Sequence, residues 1–257
     1  FEWGDEAAIS DITRISQTLN LWEGEILSRF TWKGNEFNVR TVCHPAQDMI
    51  SAHIDSHLHT GIKFHFPYPT GIHTDNACDW DANDKHSTEV LKQDTQSAVL
   101  KRTLDSTVYY VELKWEGKAL LKEKEKNYFV LLPQEDAFSF SCAFTANEPD
   151  QLTVLPDFFE VESLAKNHWV NFWEEGAAVD FSHCTDPRAK ELERRVVLSQ
   201  YLLAIQCAGS TPPQETGLTY NSWFGKYHLE MIWWHQAWQP LWGHSELLSH
   251  TLEWYKT

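Results

Sequence analysis

Positive charge is the first thing this chain is short of. Its 257 residues hold 21 Lys plus Arg against 37 Asp plus Glu, a formal net charge of −16 with histidine neutral. That balance excludes electrostatic capture of nucleic acid or of an anionic lipid surface and leaves a neutral or cationic partner. Long apolar runs are missing too. None approaches the roughly 18 residues a bilayer-crossing helix needs, so no membrane insertion is expected. The five cysteines, Cys43, Cys78, Cys142, Cys184 and Cys207, are odd in number and include no CxxC pair. Neither a disulfide framework nor a zinc site is indicated, and most of them read as buried thiols. No cofactor is implied. The chain opens on Phe1 without an initiator methionine or a signal-like charged and apolar start, which implies that the true start is missing or has been removed.

What the chain has in excess is aromatic side chains: 14% of residues, with 13 Trp. They concentrate in Glu215-Thr-Gly-Leu-Thr-Tyr-Asn-Ser-Trp-Phe-Gly-Lys-Tyr-His-Leu-Glu-Met-Ile-Trp-Trp-His-Gln-Ala-Trp238, which holds four Trp, two His and two carboxylates. Read as a helix from about Tyr227, the segment sets Glu230, Trp234 and Trp238 along one face. A carboxylate followed by indoles suits a sugar, whose C–H face packs on an aromatic plane while the acid accepts hydrogen bonds from hydroxyls. Any one of these tryptophans taken alone is more simply explained as core. Glu230 is different, because a carboxylate in so apolar a stretch is costly to bury unless something meets it.

The chain before this stretch is built mainly of strand-like pieces. Leu21 to Trp32 and Phe37 to Val42 alternate apolar with polar residues around a turn at Lys33-Gly-Asn-Glu36, as a hairpin does. Further strands are expected at Met49–Ile54, Gly61–Phe66, Ser106–Trp115, Asn127–Leu132 and Phe138–Phe144, and many short strands imply a β-sandwich. The excursion Thr70 to Lys85 carries His73, Asp75, Cys78, Asp79, Asp81 and Asp84. Its spacing matches no established calcium loop, and it reads as a solvated polar excursion with no metal. Lys122-Glu-Lys-Glu-Lys126 reads as an exposed face. From Leu164 to Glu175 the pattern turns helical, with Trp169, Phe172 and Trp173 as anchors. A second helix is expected with Asp186 as cap and Pro187 in its first position. It runs to near Gly209, and its second half is apolar almost all round, as a buried helix is. Pro240 should end or kink the focal helix near Gln239, and Ser245 should cap a last helix to about Lys256.

The order of β-sandwich, aromatic linker Phe172-Trp173-Glu-Glu-Gly176, helix Glu191-Leu-Glu-Arg-Arg-Val-Val-Leu-Ser-Gln-Tyr201 and then Gly217-Leu-Thr…Trp223-Phe-Gly-Lys-Tyr-His-Leu-Glu230 resembles glycoside hydrolase family 65. The likeness is most specific over residues 164 to 256. It implies a β-sandwich at 1–160, a helical linker at 161–185, and the first helices of an incomplete (α/α)6 barrel at 186–257. In that family the matching loop carries a Trp-Asp pair that lines a sugar subsite. Aligning on Gly225 puts Lys226 on the family's His, His228 on its Phe, Leu229 on its Trp and Glu230 on its Asp. The lost indole makes Trp233 or Trp234 the stand-in.

The resemblance implies an inverting glycosidase acting on α-glucosidic linkages, with Glu230 gripping the sugar rather than moving a proton. Its catalytic acid and base are expected beyond Thr257, and Trp223, Lys226, Tyr227, His228, Glu230, Trp233 and Trp234 are the candidate substrate contacts. The alternatives are a disaccharide phosphorylase of the same family and a non-catalytic carbohydrate-binding module. By analogy the location is periplasmic or secreted, and otherwise cytoplasmic.

Overall fold

A computed structural model describes all residues except 4–7, 74, 75, 151, 153, 219 and 257. By packing it divides into two units, Phe1–Tyr68 with Trp80–Trp169 and Pro69–Asp79 with Val170–Thr257. The first is mostly antiparallel sheet. Its larger sheet is formed by β1 (Ile12–Asn20), β2 (Glu25–Trp32), β3 (Asn35–Cys43), β4 (Met49–Asp55), β8 (His86–Gln93), β9 (Ser97–Leu104), β10 (Thr107–Glu116) and β13 (Ala137–Thr145). Their order is β1-β2-β3-β4-β13-β10-β9-β8. A smaller sheet joins β5 (Ile62–His65), β11 (Ala119–Glu125) and β12 (Tyr128–Pro133), and a ribbon pairs β6 (Tyr68–Pro69) with β7 (Cys78–Asp79).

Local chemistry explains the hairpins. Lys33 and Gly34 both take positive φ, 48° and 79°, the two-residue turn whose twist matches that of the flanking strands. Trp32 therefore faces Asn35. The stretch expected as one strand from Leu21 starts instead at Glu25, because Gly24 N–H closes a turn on Asn20 O at 2.8 Å. Strands β1, β8 and β9 were not foreseen. β1 is exposed along most of its length, so no apolar alternation marks it.

The two sheets bury one core between them. Trp32, Phe37, Leu100, Val111, Leu113 and Trp115 of the large sheet meet Ile62, Leu121, Phe129 and Leu131 of the small one. Each such side chain contributes about 1.5–3 kcal/mol on burial, so this layer dominates the unit's stability. The alternate face of the large sheet carries Val42, Met49 and Ala143 against Leu155, Phe158, Val161 and Ala165, the last three on helix α1 (Phe158–Glu175). That helix begins six residues earlier than its aromatic pattern indicated. Glu162 pairs with Arg40, whose guanidinium also lies 4.8 Å from the Phe158 ring.

Arg102 is 1% exposed, and its Nη1 donates to His86 Nδ1 at 2.8 Å and Thr88 Oγ1 at 2.7 Å. A guanidinium stays charged, so His86 accepts and is neutral. Burial, and then Arg102 itself, holds the His86 pKa below its ordinary 6.5.

The second unit is helical. It contains the end of α1 with α2 (Ala189–Cys207), α3 (Ile232–Gln236), α4 (Trp238–Leu241) and α5 (Ser245–Leu252). α2 starts at Ala189 rather than Pro187. Asp186 does not cap it, but closes the preceding turn by accepting from Arg188 N–H at 2.8 Å. Nor is α2 buried all round: only Ala189, Gln200, Tyr201 and Cys207 are buried, while Leu192, Leu202 and Ile205 stand exposed. The short helices of this unit are too small to cover it. Among the cysteines only Cys142 and Cys207 are buried, fewer than expected. Lys122 to Glu125 are exposed, as their alternating charge implied. Among the described residues no helix is long and apolar enough to cross a membrane.

The aromatic linker ends on a close approach. His244 stacks on Phe172 at 4.0 Å and 2°, and a Cβ on Gly176 would stand 2.3 Å from His244 Nε2. His244 is 3% exposed, and burial lowers its pKa below 6.5 against the opposing pull of Glu246 and Glu175. A histidine with a lowered folded-state pKa binds protons more readily when unfolded, so its contribution is intact above about pH 6.5 and is lost as the pH falls through the lowered value. Urea midpoints should therefore drop on going from pH 7 to pH 5. His244→Phe, which keeps the stacked ring, should flatten that slope, and an unchanged slope would show that His244 is not the group titrating.

Candidate functional site

The focal stretch is organised by a left-handed turn and not by a helix from Tyr227. Trp223, Phe224 and Gly225 have φ values of 46°, 62° and 66°, and Lys226 and His228 are extended. Tyr227 bridges to Gln214 in antiparallel fashion. Helical geometry begins as a 3-10 turn at Leu229–Met231 and continues as α3. Gly225 is at home with positive φ. For Trp223 and Phe224 the conformation costs roughly 1–2 kcal/mol each. The reverse side of the cost is exposure, since both aromatic rings are thrown outward, 46% and 50% exposed.

The turn is held from a distant part of the sequence. His73, in the polar excursion between β6 and β7, sets its ring edge-on to Trp223 at 4.5 Å and to Phe224 at 5.3 Å. Asn221 Nδ2 donates to Ile72 O at 2.8 Å. Ring pairs worth about 0.5–1.5 kcal/mol each and a hydrogen bond worth about 0.5–1.5 kcal/mol are together comparable to the strain, so the excursion can hold the turn in place. His228 closes on the same indole at 5.6 Å, and its Nε2 is buried without a hydrogen-bond partner among the described residues.

Of the predicted contacts, Trp223 and His228 are thus brought together. Tyr227 lies apart, 5.0 Å from Trp254 and 6.3 Å from Tyr255. Lys226 and Glu230 are exposed, and neither pairs with a described residue of opposite charge. Trp233 and Trp234 are 67% and 68% exposed. Trp233 lines a hollow of about 430 Å³ with Ile232, Gln236, Pro240, Leu241 and Leu252, almost wholly apolar. A second hollow, of about 280 Å³, sets Trp238 and Trp242 beside Arg195, Ser199 and Gln200, and a third, of about 460 Å³, lies around Phe181, Cys184 and Leu192. Glu230 lines none of these three hollows and stands exposed on the 3-10 turn that follows His228. The helix break expected at Gln239 falls earlier, at Ala237, because Pro240 has no N–H to return to Gln236 O.

No family model matches the chain, and no curated protein matches it. A solved structure described as "Putative kojibiose phosphorylase from human microbiome" superposes with a TM-score of 0.58 at 12% identity, over 83% of this chain and 32% of that one. The likeness is one of fold. The chain spans about a third of that structure's length.

His73 is the residue that sequence reading did not connect to the site. It stands 150 positions before Trp223, in a segment whose acids drew attention to metal binding instead. Asp75 of that segment, and Thr219 of the Gly217-Leu-Thr motif, lie outside the described residues. Among the described residues no group of three or more His, Cys, Asp or Glu is arranged to hold a metal. If the excursion holds the turn, Asn221→Ala should speed backbone amide exchange at residues 71–73 and 221–226 severalfold and leave β10 and β13 unchanged. Equal exchange in both proteins would dissociate the two segments.

Proposed function

We propose that this chain belongs to an inverting glycosidase acting on α-glucosidic linkages of a di- or oligosaccharide, and that the aromatic turn and the start of α3 form its sugar-recognising surface. The observation that carries this reading is the exposed cluster of Trp223, Phe224 and His73, backed by the half-buried His228 against Trp223 and with Glu230 on the adjoining helical turn. Exposed indole faces pack on the C–H face of a pyranose, and imidazoles and a carboxylate supply hydrogen bonds to its hydroxyls. The family resemblance and the fold likeness to a protein described as a "Putative kojibiose phosphorylase" support a carbohydrate substrate.

In this reading Glu230 grips the ring through hydroxyl bonds that strengthen as positive charge develops in the transition state. The acid that protonates the leaving oxygen and the base that activates water are carried by residues that the resemblance places after Thr257.

Phosphorolysis is the second reading, favoured by the description of the structural neighbour. Assays of the full-length protein on α-linked glucose disaccharides, with and without added phosphate, separate the two. Glucose release independent of phosphate is expected, and strict phosphate dependence with formation of glucose 1-phosphate would replace hydrolysis by phosphorolysis. Loss of a charged hydrogen bond in Glu230→Gln should lower kcat/KM roughly ten- to hundredfold, and near-normal activity would remove Glu230 from the site.

A further inference from the structure

The polar excursion Pro69–Asp79 packs with the helical unit although it leaves from the strands of the β unit. Its His73 is exposed, touches both Trp223 and Phe224 by its ring, and has no hydrogen bond from either nitrogen to a described residue. On the same indole the second imidazole, His228, keeps a buried Nε2 without a partner among the described residues. A polar atom desolvated in this way is costly unless a donor or acceptor reaches it. Two imidazoles therefore flank one half-exposed indole, each with hydrogen-bonding capacity that the described residues do not use.

We infer that His73 is a specificity-determining residue of the saccharide surface: a sugar ring packs on the exposed face of Trp223, and the His73 imidazole hydrogen-bonds one of its hydroxyls. The inference rests on the reading given under Proposed function and adds to it a residue from outside the focal stretch. A planar imidazole held edge-on to Trp223 and Phe224 can meet a hydroxyl only over a narrow range of directions. His73 then discriminates between sugars by where that hydroxyl stands, and so between linkages of a glucose disaccharide. No bond is made or broken by His73, and its effect falls on binding and on substrate ranking.

The test uses the full-length protein, a set of α-linked glucose disaccharides that differ only in linkage, and two substitutions. His73→Phe keeps a ring against Trp223 and Phe224 but cannot hydrogen-bond, and His73→Gln keeps hydrogen bonding without the ring. His73→Phe should raise Kd and KM roughly three- to tenfold for the preferred linkage and change the order of preference. His73→Gln should recover part of that loss. In the unsubstituted protein the imidazole nitrogen resonances of His73 should move on titration with the preferred disaccharide. Wild-type binding with His73→Phe equal to it in affinity and ranking, or with unmoved His73 resonances, would overturn the inference and leave the sugar surface standing. Failure of the unsubstituted protein to bind any of these disaccharides would overturn both.

Discussion

Three consecutive left-handed residues, Trp223, Phe224 and Gly225, are the constraint on which the functional account depends. A glycine takes that conformation freely, but a tryptophan and a phenylalanine do not. Their side chains are held out from the surface by contacts made elsewhere: His73 against both rings, and Asn221 on the carbonyl of Ile72. Strain retained at exposed aromatic residues, and opposed by a segment remote in sequence, is the pattern found where a backbone is shaped for a ligand rather than for the core.

The β unit has the opposite character. Its large and small sheets close on a continuous apolar layer from Trp32 to Leu131, and even its buried cation is satisfied by neutral acceptors on the neighbouring strand β8. The polar excursion that begins at Pro69 leaves such a framework, and so can carry a histidine to a surface that the focal stretch could not complete alone. The helical unit keeps apolar side chains such as Leu192, Leu241 and Trp234 in solvent, and no buried apolar layer of comparable extent is found in it among the described residues.

The strands with clear alternation were legible before any coordinates, because side chains of period two betray a half-buried face: β2, β3, β4, β10 and β13 all fall where that period is strong, while β12 showed as the apolar run Tyr128-Phe-Val-Leu-Leu132 behind Asn127. β1 escaped because Thr13 to Thr18 is polar and largely exposed on both faces, and β9 because Ala98-Val-Leu100 is a short apolar run with no period. In the helical unit, propensity located α1, α2 and α5 but misjudged where α1 and α2 begin. Pro187 and Asp186 look like a helix start, yet they are spent on a turn before it. The aromatic excess of the focal stretch and the largely antiparallel sheet of the first unit could be read directly. The left-handed turn could not, since Trp and Phe are the wrong residues to announce one. Nor could the part played by His73, because contact across 150 positions leaves no local pattern.

The most direct test of the account is whether sugar C–H groups lie on the Trp223 indole. Saturation-transfer difference NMR on the full-length protein with an α-linked glucose disaccharide reads that contact. Irradiating aromatic protons should saturate the ring protons of one glucose unit, and Trp223→Ala should abolish most of the transfer while the β unit keeps its fold. No transfer in the unsubstituted protein, or transfer of the same size after Trp223→Ala, would contradict the account.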